Sequence, residues 1–361
     1  MKKRISLLLV VVLAISLFAG CGKTEAPAAA PAAAPAAAAP ADKAEAAPAA
    51  AEPYVGAFDP DWTSGKTPPS VDKDGNQIEV AIVPPALESP FYQQCIDAAK
   101  PYADAWGWKL TVMAPDDTED YAGQVAMCED LIQKGCDGLI VCSLDVTSII
   151  TAIKAANDAG IPFVLFNTVT DSEDGVVYAY SGYDQRQAGA KMADWIAATC
   201  GEDCTVGCIL GLPGLHSNER HGGFMDRVNE AYPNLTVSAS QSASWSRQEA
   251  MDTAINMIQA DPSIQAFFCC NDDMALGATQ GMMQIGRTDV VCIGLDANPN
   301  ALESIKAGKL TASCFVGAPE QGANAIMAMA DALLGIPAPA DNKLYADIAI
   351  IDASNVDEYL K

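Results

Sequence analysis

Between residues 78 and 295, short apolar runs alternate with longer stretches whose apolar residues recur at helical spacing. A strand, a helix and a second strand in succession pack almost always as a right-handed crossover between parallel strands, so this alternation admits few folds. Residues 78–83, 109–114, 138–142 and 163–167 read as strands, with helices over 91–106, 121–134 and 148–159 between them. In the first helix Phe91, Cys95, Ala98, Ala99, Tyr102 and Ala105 fall near one face. The third ends at Gly160 with Pro162 just beyond, a stop signal. The rhythm resumes with helix 187–200, strand 205–210, helix 219–231, strand 236–240, helix 247–261, strand 266–270, helix 274–285 and strand 290–295. The pattern predicts an α/β chain of two doubly wound parallel-sheet lobes. About 300 residues follow Tyr54, more than one typical domain, and 50% of the chain is hydrophobic, enough for two cores.

The N-terminus carries a different message. Lys2, Lys3 and Arg4 precede an apolar run over residues 5–18, then Ala19-Gly20-Cys21, which reads as a secretory signal over residues 1–20. The run is shorter than the ~20 residues a membrane-spanning helix needs. Leu17-Phe18-Ala19-Gly20-Cys21 resembles a bacterial lipobox, and that resemblance implies a lipid on Cys21 as the first mature residue. Residues 21–53 are nearly all Ala and Pro with interspersed Lys and Glu. Such a segment has little to bury and reads as a disordered tether, extending ~3.1 Å per residue where proline dominates. The rest of the chain is therefore expected outside the cytoplasmic membrane, anchored to it.

Composition excludes some partners. The net charge is −25 and becomes about −28 once the three basic residues of the signal are gone. Such a chain is repelled by nucleic acid and by anionic lipid heads, so no nucleic-acid role is expected. Of the twelve cysteines, most replace a small apolar residue, as Cys142, Cys269, Cys270 and Cys292 do at the ends of apolar runs. Cys200, Cys204 and Cys208 have neither a CxxC pair nor a nearby histidine, so a Cys200–Cys204 disulfide is favoured over metal. No metal and no cofactor are expected. Asp72-Lys73-Asp74-Gly75-Asn76 lacks the glutamate of a calcium loop and reads as a hairpin turn.

In doubly wound sheets ligands bind beyond the carboxyl ends of the strands. Those ends carry Ser89, Phe91 and Tyr92, then Asn167, then Arg220, Trp245, Asn271 and Asp296. Aromatic faces accept the apolar C–H face of a sugar, while amides, a guanidinium and a carboxylate satisfy hydroxyls that both donate and accept. Each residue also has a plainer reading. Asp272 and Asp273 suit helix capping, Asn271 a turn, Arg220 an exposed pair with Glu219 or Asp226, and Phe91, Tyr92 and Trp245 ordinary packing.

At these residues the chain resembles the ribose- and galactose-type solute-binding proteins of bacterial ABC importers, over about residues 78–350. Asn271-Asp272-Asp273-Met274-Ala275-Leu276-Gly277-Ala278 and Ile293-Gly294-Leu295-Asp296-Ala297 carry most of the resemblance, with Ser89-Pro90-Phe91-Tyr92 and the segment from Glu219 to Phe224 in place. It implies that Arg220, Asn271 and Asp296 hydrogen-bond ring hydroxyls and that Phe91, Tyr92 and Trp245 stack on the sugar. Asn167 and Trp245 look more like the galactose/glucose branch than the ribose branch. The polar residue that the family carries near Val316-Gly317 is absent. The resemblance further implies a three-stranded hinge near Tyr183-Asp184, Val316-Gly317 and Tyr345-Ala346. One lobe then spans 78–183 and 318–345, the other 184–317 and 346–361. A monomer that closes on a monosaccharide and docks on a permease is expected. The same fold binding a nucleoside, polyol or signalling molecule, or a ligand-presenting sensor, is the alternative. With only His216 and His221, no HExxH and no nucleophile elbow around Ser217, an enzyme is not expected.

Overall fold

The computed structural model describes residues 64–169, 174–338 and 340–360; the signal, Cys21 and the tether lie outside them. The first half runs β1 (Glu79–Val83), α1 (Pro90–Trp106), β2 (Lys109–Val112), α2 (Tyr121–Gln133), β3 (Gly138–Val141), α3 (Ile149–Ala159), β4 (Phe163–Phe166) and β5 (Ala179–Gly182). The second runs α4 (Gln185–Cys200), β6 (Thr205–Leu210), α5 (Leu215–Ala231), β7 (Thr236–Ser242), α6 (Arg247–Ala260), β8 (Ala266–Cys269), α7 (Asp272–Gln284), β9 (Val291–Asp296), α8 (Pro299–Lys306) and β10 (Ala312–Phe315). α9 (Ala318–Leu333), β11 (Lys343–Tyr345) and β12 (Ala349–Asp352) complete the chain.

The strands form two six-stranded sheets, ordered β11-β5-β4-β3-β1-β2 and β12-β10-β9-β8-β6-β7. Every neighbouring pair is parallel except β10 with β12. β3, β4 and β8 are buried on every residue, as expected of strands covered by helices on both faces. The two α/β lobes are thus those the alternation predicts. The chain passes between the sheets three times: from β5 into α4, from β10 into α9, which packs on α1 and β4, and from β11 into β12. The crossovers lie side by side. The Ala346 amide donates to the Gly182 carbonyl at 2.8 Å, and Gly317, at φ 65°, leaves no room for a Cβ beside Ala346.

Local differences from the sequence reading have local causes. α5 begins at Leu215, four residues before the expected start, so His216 and Ser217 are helical rather than loop residues. Asn271 caps α7, its Oδ1 accepting from the Met274 amide at 2.9 Å. Asp272 and Asp273, expected as caps, instead occupy the first turn. Asp272 is buried and accepts from the Asn298 amide (2.7 Å) and the Ser313 hydroxyl (2.6 Å), while Asp273 pairs with Arg247. The partners proposed for Arg220, Glu219 and Asp226, bind Arg186. Asp72 closes the tight turn before Gln77 by accepting from the Asp74 and Asn76 amides, both at 2.8 Å. Cys200 and Cys204 are disulfide-bonded between α4 and β6, and the nine other described cysteines are free and buried. Among the described residues no helix is long and apolar enough to cross a membrane.

Candidate functional site

Beyond the carboxyl ends of the strands, between the two lobes, lies a cavity of about 340 Å³. Ser89, Phe91, Tyr92, Asn167, Arg220, Trp245, Asn271 and Asp296, the residues singled out in the sequence, all line it. Ser89 precedes α1 in extended conformation, and Pro90 at the helix start fixes the backbone that turns Phe91 and Tyr92 inward. Their rings meet edge to face at 5.3 Å, and Tyr92 meets Phe166 in the same way at 6.1 Å. Asn167 follows β4 directly and is 3% exposed.

The second lobe supplies the charge. Arg220, one turn into α5, is 4% exposed; its Nη1 donates to the Cys270 carbonyl at 2.8 Å and its Nε to Gln185 Oε1 at 3.3 Å. Burial opposes its charge, but Tyr183 and Asp296 outweigh burial and hold the guanidinium protonated. Trp245 lies with its ring centre 5.6 Å from the guanidinium carbon. That position requires glycine at 211, since a Cβ there would sit 2.1 Å from the indole. Asp296 ends β9 at 6% exposure. Burial drives its pKa well above the carboxylate range; Arg220 pulls it back and Asp272 pushes it up again. Burial likewise raises Asp272 to about 7, against the Ser313 hydroxyl and Asn298 amide that favour its anion.

Three of these residues are held in unusual backbone. Asn167 (φ 54°), Trp245 (φ 63°) and Asp296 (φ 128°), with Ser244 and Ala297, are the non-glycine residues of positive φ among those described. Such conformations cost about 1–3 kcal/mol each and persist where the surrounding structure enforces them, which is typical of binding sites. Three polar atoms on residues of the wall are buried without a partner: Asn167 Oδ1, an acceptor, Trp245 Nε1, a donor, and His216 Nε2. Polar groups in that state favour a ligand that brings both a donor and an acceptor.

The sequence reading did not select Pro85, Ala86, Glu88, Thr118, Leu144, His216, Ser244, Ser246 and Asp273, which also line the cavity. Most follow a strand within a few residues, so the strand-end rule applied to every residue of those loops reaches them. His216 needed the true start of α5. Burial, then the charge of Arg220, lowers its pKa to about 3, so it is neutral at physiological pH. Near the missing polar residue of the second crossover, Gln321 is turned to the Val316 carbonyl (2.8 Å) and does not line the cavity.

Two parallel-sheet lobes joined by three adjacent crossovers around a shared cavity define a hinged binding protein. Residues 80–337 match the family described as periplasmic binding protein domain, and the chain belongs to that family. It is 32% identical over 255 residues to the ribose import binding protein of Bacillus subtilis, covering 70% of this chain and 80% of that one. An ABC transporter periplasmic solute-binding protein of Actinobacillus succinogenes, solved with D-allose, superposes with a TM-score of 0.74 at 26% identity, over 78% of this chain and 100% of the other. A Bacillus halodurans solute-binding protein solved with myo-inositol gives 0.73 at 27% identity, over 80% and 99%.

Proposed function

We propose that this chain is an extracytoplasmic solute-binding lipoprotein that captures a monosaccharide by hinge closure and delivers it to the permease of an ABC importer. One observation carries the reading: a single interlobe cavity joins the buried Arg220 and Asp296 to the unpartnered Asn167 Oδ1 and Trp245 Nε1, beside the rings of Phe91, Tyr92 and Trp245. A sugar ring offers hydroxyls that donate to Asp296 and Asn167 and accept from Arg220 and Trp245, and an apolar face for the aromatic wall. Ser89 and Asn271 complete the polar rim. Residues 78–183 and 318–345 form one lobe, 184–317 and 346–361 the other, and ligand contacts to both shift the equilibrium toward closure.

Residues 1–20 are the export signal, Cys21 carries the lipid, and 21–53 tether the working domain to the membrane. The protein acts as a monomer without cofactor or metal, and the absence of catalysis accords with relatives named as binding proteins. A polyol is the second reading, favoured by the relative solved with myo-inositol. A thermal-shift screen against pentoses, hexoses, polyols and nucleosides separates the readings. A ligand at ~1,000 times its Kd stabilises by ~4 kcal/mol, several degrees in Tm. A shift with one or two monosaccharides supports sugar capture. A shift with polyols or nucleosides alone replaces the substrate class, and no shift with any of them overturns it.

A further inference from the structure

Resting on the reading of the cavity as a solute site, we infer that Gln185 and the Gln94–Asn298 pair are positioning residues: two neutral amide clasps that tie the charged ligand groups of one lobe to the opposite lobe. Gln185 stands at the start of α4, just past the first crossover, and is 8% exposed. Its Oε1 accepts from Arg220 Nε at 3.3 Å, and its Nε2 donates to the Asn167 carbonyl at 3.1 Å. Asn167 belongs to the first sheet's lobe and Arg220 to the second's, so one amide spans both. The same Nε2 lies 3.0 Å from His216 Nδ1, which seats the amide from behind.

The second clasp mirrors the first. Asn298 is 1% exposed, its amide fixed by Asp272 at 2.7 Å. It occupies the N-cap position of α8, yet its side chain makes no capping bond. Instead Nδ2 donates to Asp296 Oδ2 at 3.4 Å, and Oδ1 accepts from Gln94 Nε2 at 2.9 Å. Gln94 lies on α1, in the other lobe. Arg220 and Asp296 are thus each tied across the cleft through a primary amide. An amide suits the task because it donates and accepts at once and adds no buried charge. Opening the lobes must break both clasps and release the two charged side chains from their set orientation. Closure and alignment of the charged groups are therefore one event rather than two.

The test uses the full chain carrying nitroxide labels at Glu119→Cys and Gln248→Cys. These exposed positions lie one residue after Thr118 and two after Ser246, on opposite sides of the cavity. Cross-cleft distances are measured in the ligand-free protein, then with D-ribose and with D-allose. Q185L and Q94L should each move the ligand-free population toward the long distance by about threefold to tenfold, the range for one hydrogen bond. The double variant should move it further, with circular dichroism unchanged. Q185E keeps the acceptor for Arg220 but loses the donor to Asn167, and should open like Q185L. Distances in Q185L and Q94L that superpose on the parent's overturn the inference, as does a Q185E that stays with the parent. If neither these two nor any other sugar of the thermal-shift screen changes the parent's distances, the sugar reading fails while the ligand-free comparison still decides the clasps.

Discussion

The two walls of the cavity are built from different materials. The first lobe contributes mainly shape: Pro85, Ala86, Phe91, Tyr92 and Leu144, with Ser89, Thr118 and Asn167 as polar points and Glu88 exposed at the rim. The second contributes charge and hydrogen bonding through Arg220, Asp296, Asn271 and Asp273, with Trp245 as its one large ring. Strain divides the same way, since four of the five positive-φ non-glycine residues belong to the second lobe. A lobe that holds oriented charge can take a polar solute alone, while a lobe that offers apolar shape gains most by closing over it. The comparison suggests an order, in which the second lobe engages the solute and the first excludes water from it.

The largest effect that can break this division is at the charged pair. Either truncation, Arg220→Ala or Asp296→Ala, leaves solute groups in a buried site without the charged partner they would bind, a cost of about 3 kcal/mol or more. Titration calorimetry should show affinity lost by more than a hundredfold for each, with the fold retained. Parent-like binding by both variants places the site elsewhere.

The aromatic residues sharpen the contrast. Phe91 is 3% exposed and packs in its lobe's core, so Phe91→Ala should cost about 3–5 kcal/mol of stability. Trp245 is half-buried on the wall, so Trp245→Ala should lower affinity by roughly tenfold, in line with ring contacts, and leave Tm nearly unchanged. Denaturant melts and binding isotherms on both variants check this. The reverse pattern would exchange the roles of the two rings.

A smaller effect is set by pH. The pKa of His216 in the folded chain, about 3, lies below its ordinary 6.5, so the unfolded chain takes up the proton first. The stability that depends on neutral His216 is complete above pH 6.5 and lost as pH falls toward 3. Asp272, raised to about 7, acts in the opposite sense: its contribution is complete below about pH 3.8 and lost as pH rises through 7. The stability difference between the parent and His216→Gln should therefore shift toward the variant by on the order of 2 kcal/mol between pH 7 and pH 5. A difference that stays constant with pH refutes the burial of a neutral imidazole.

The smallest effect lies farthest from the cleft. The Cys200–Cys204 bond closes a very short loop at the end of α4, worth about 2 kcal/mol or less. Its reduction should lower Tm by a few degrees and leave ligand affinity as it was. A change in affinity would connect that end of the second lobe to the cavity.

Much of this architecture can be read from local pattern. β1 to β4, β6 to β9 and α1 to α7 fall near where apolar spacing places them, most sharply at β3, β4 and β8, where burial on both faces writes a continuous apolar run into the strand. The strand-end rule also brought eight residues, four on each wall, to one cavity. Past Leu295 the local signal fails. β10, β11 and β12 are only three or four residues long, and β11 acquires its identity by pairing with β5, more than 160 positions earlier. α9 is helical by composition; the resemblance, not local pattern, put it in the first lobe, and its packing on α1 and β4 shows the contact.

By itself, then, the sequence determined two parallel-sheet α/β lobes, the export signal as an expectation, and the chemical types gathered at the strand ends. Periodicity and composition are properties of neighbours along the chain, and those features depend on little else. Tertiary structure alone decided that Arg186, not Arg220, takes Glu219, that Asn271 rather than Asp272 caps its helix, and that Gln185 and Asn298 join the lobes. Each is a choice among several chemically suitable partners. The choice falls to whichever partner the packed backbone brings within hydrogen-bond distance.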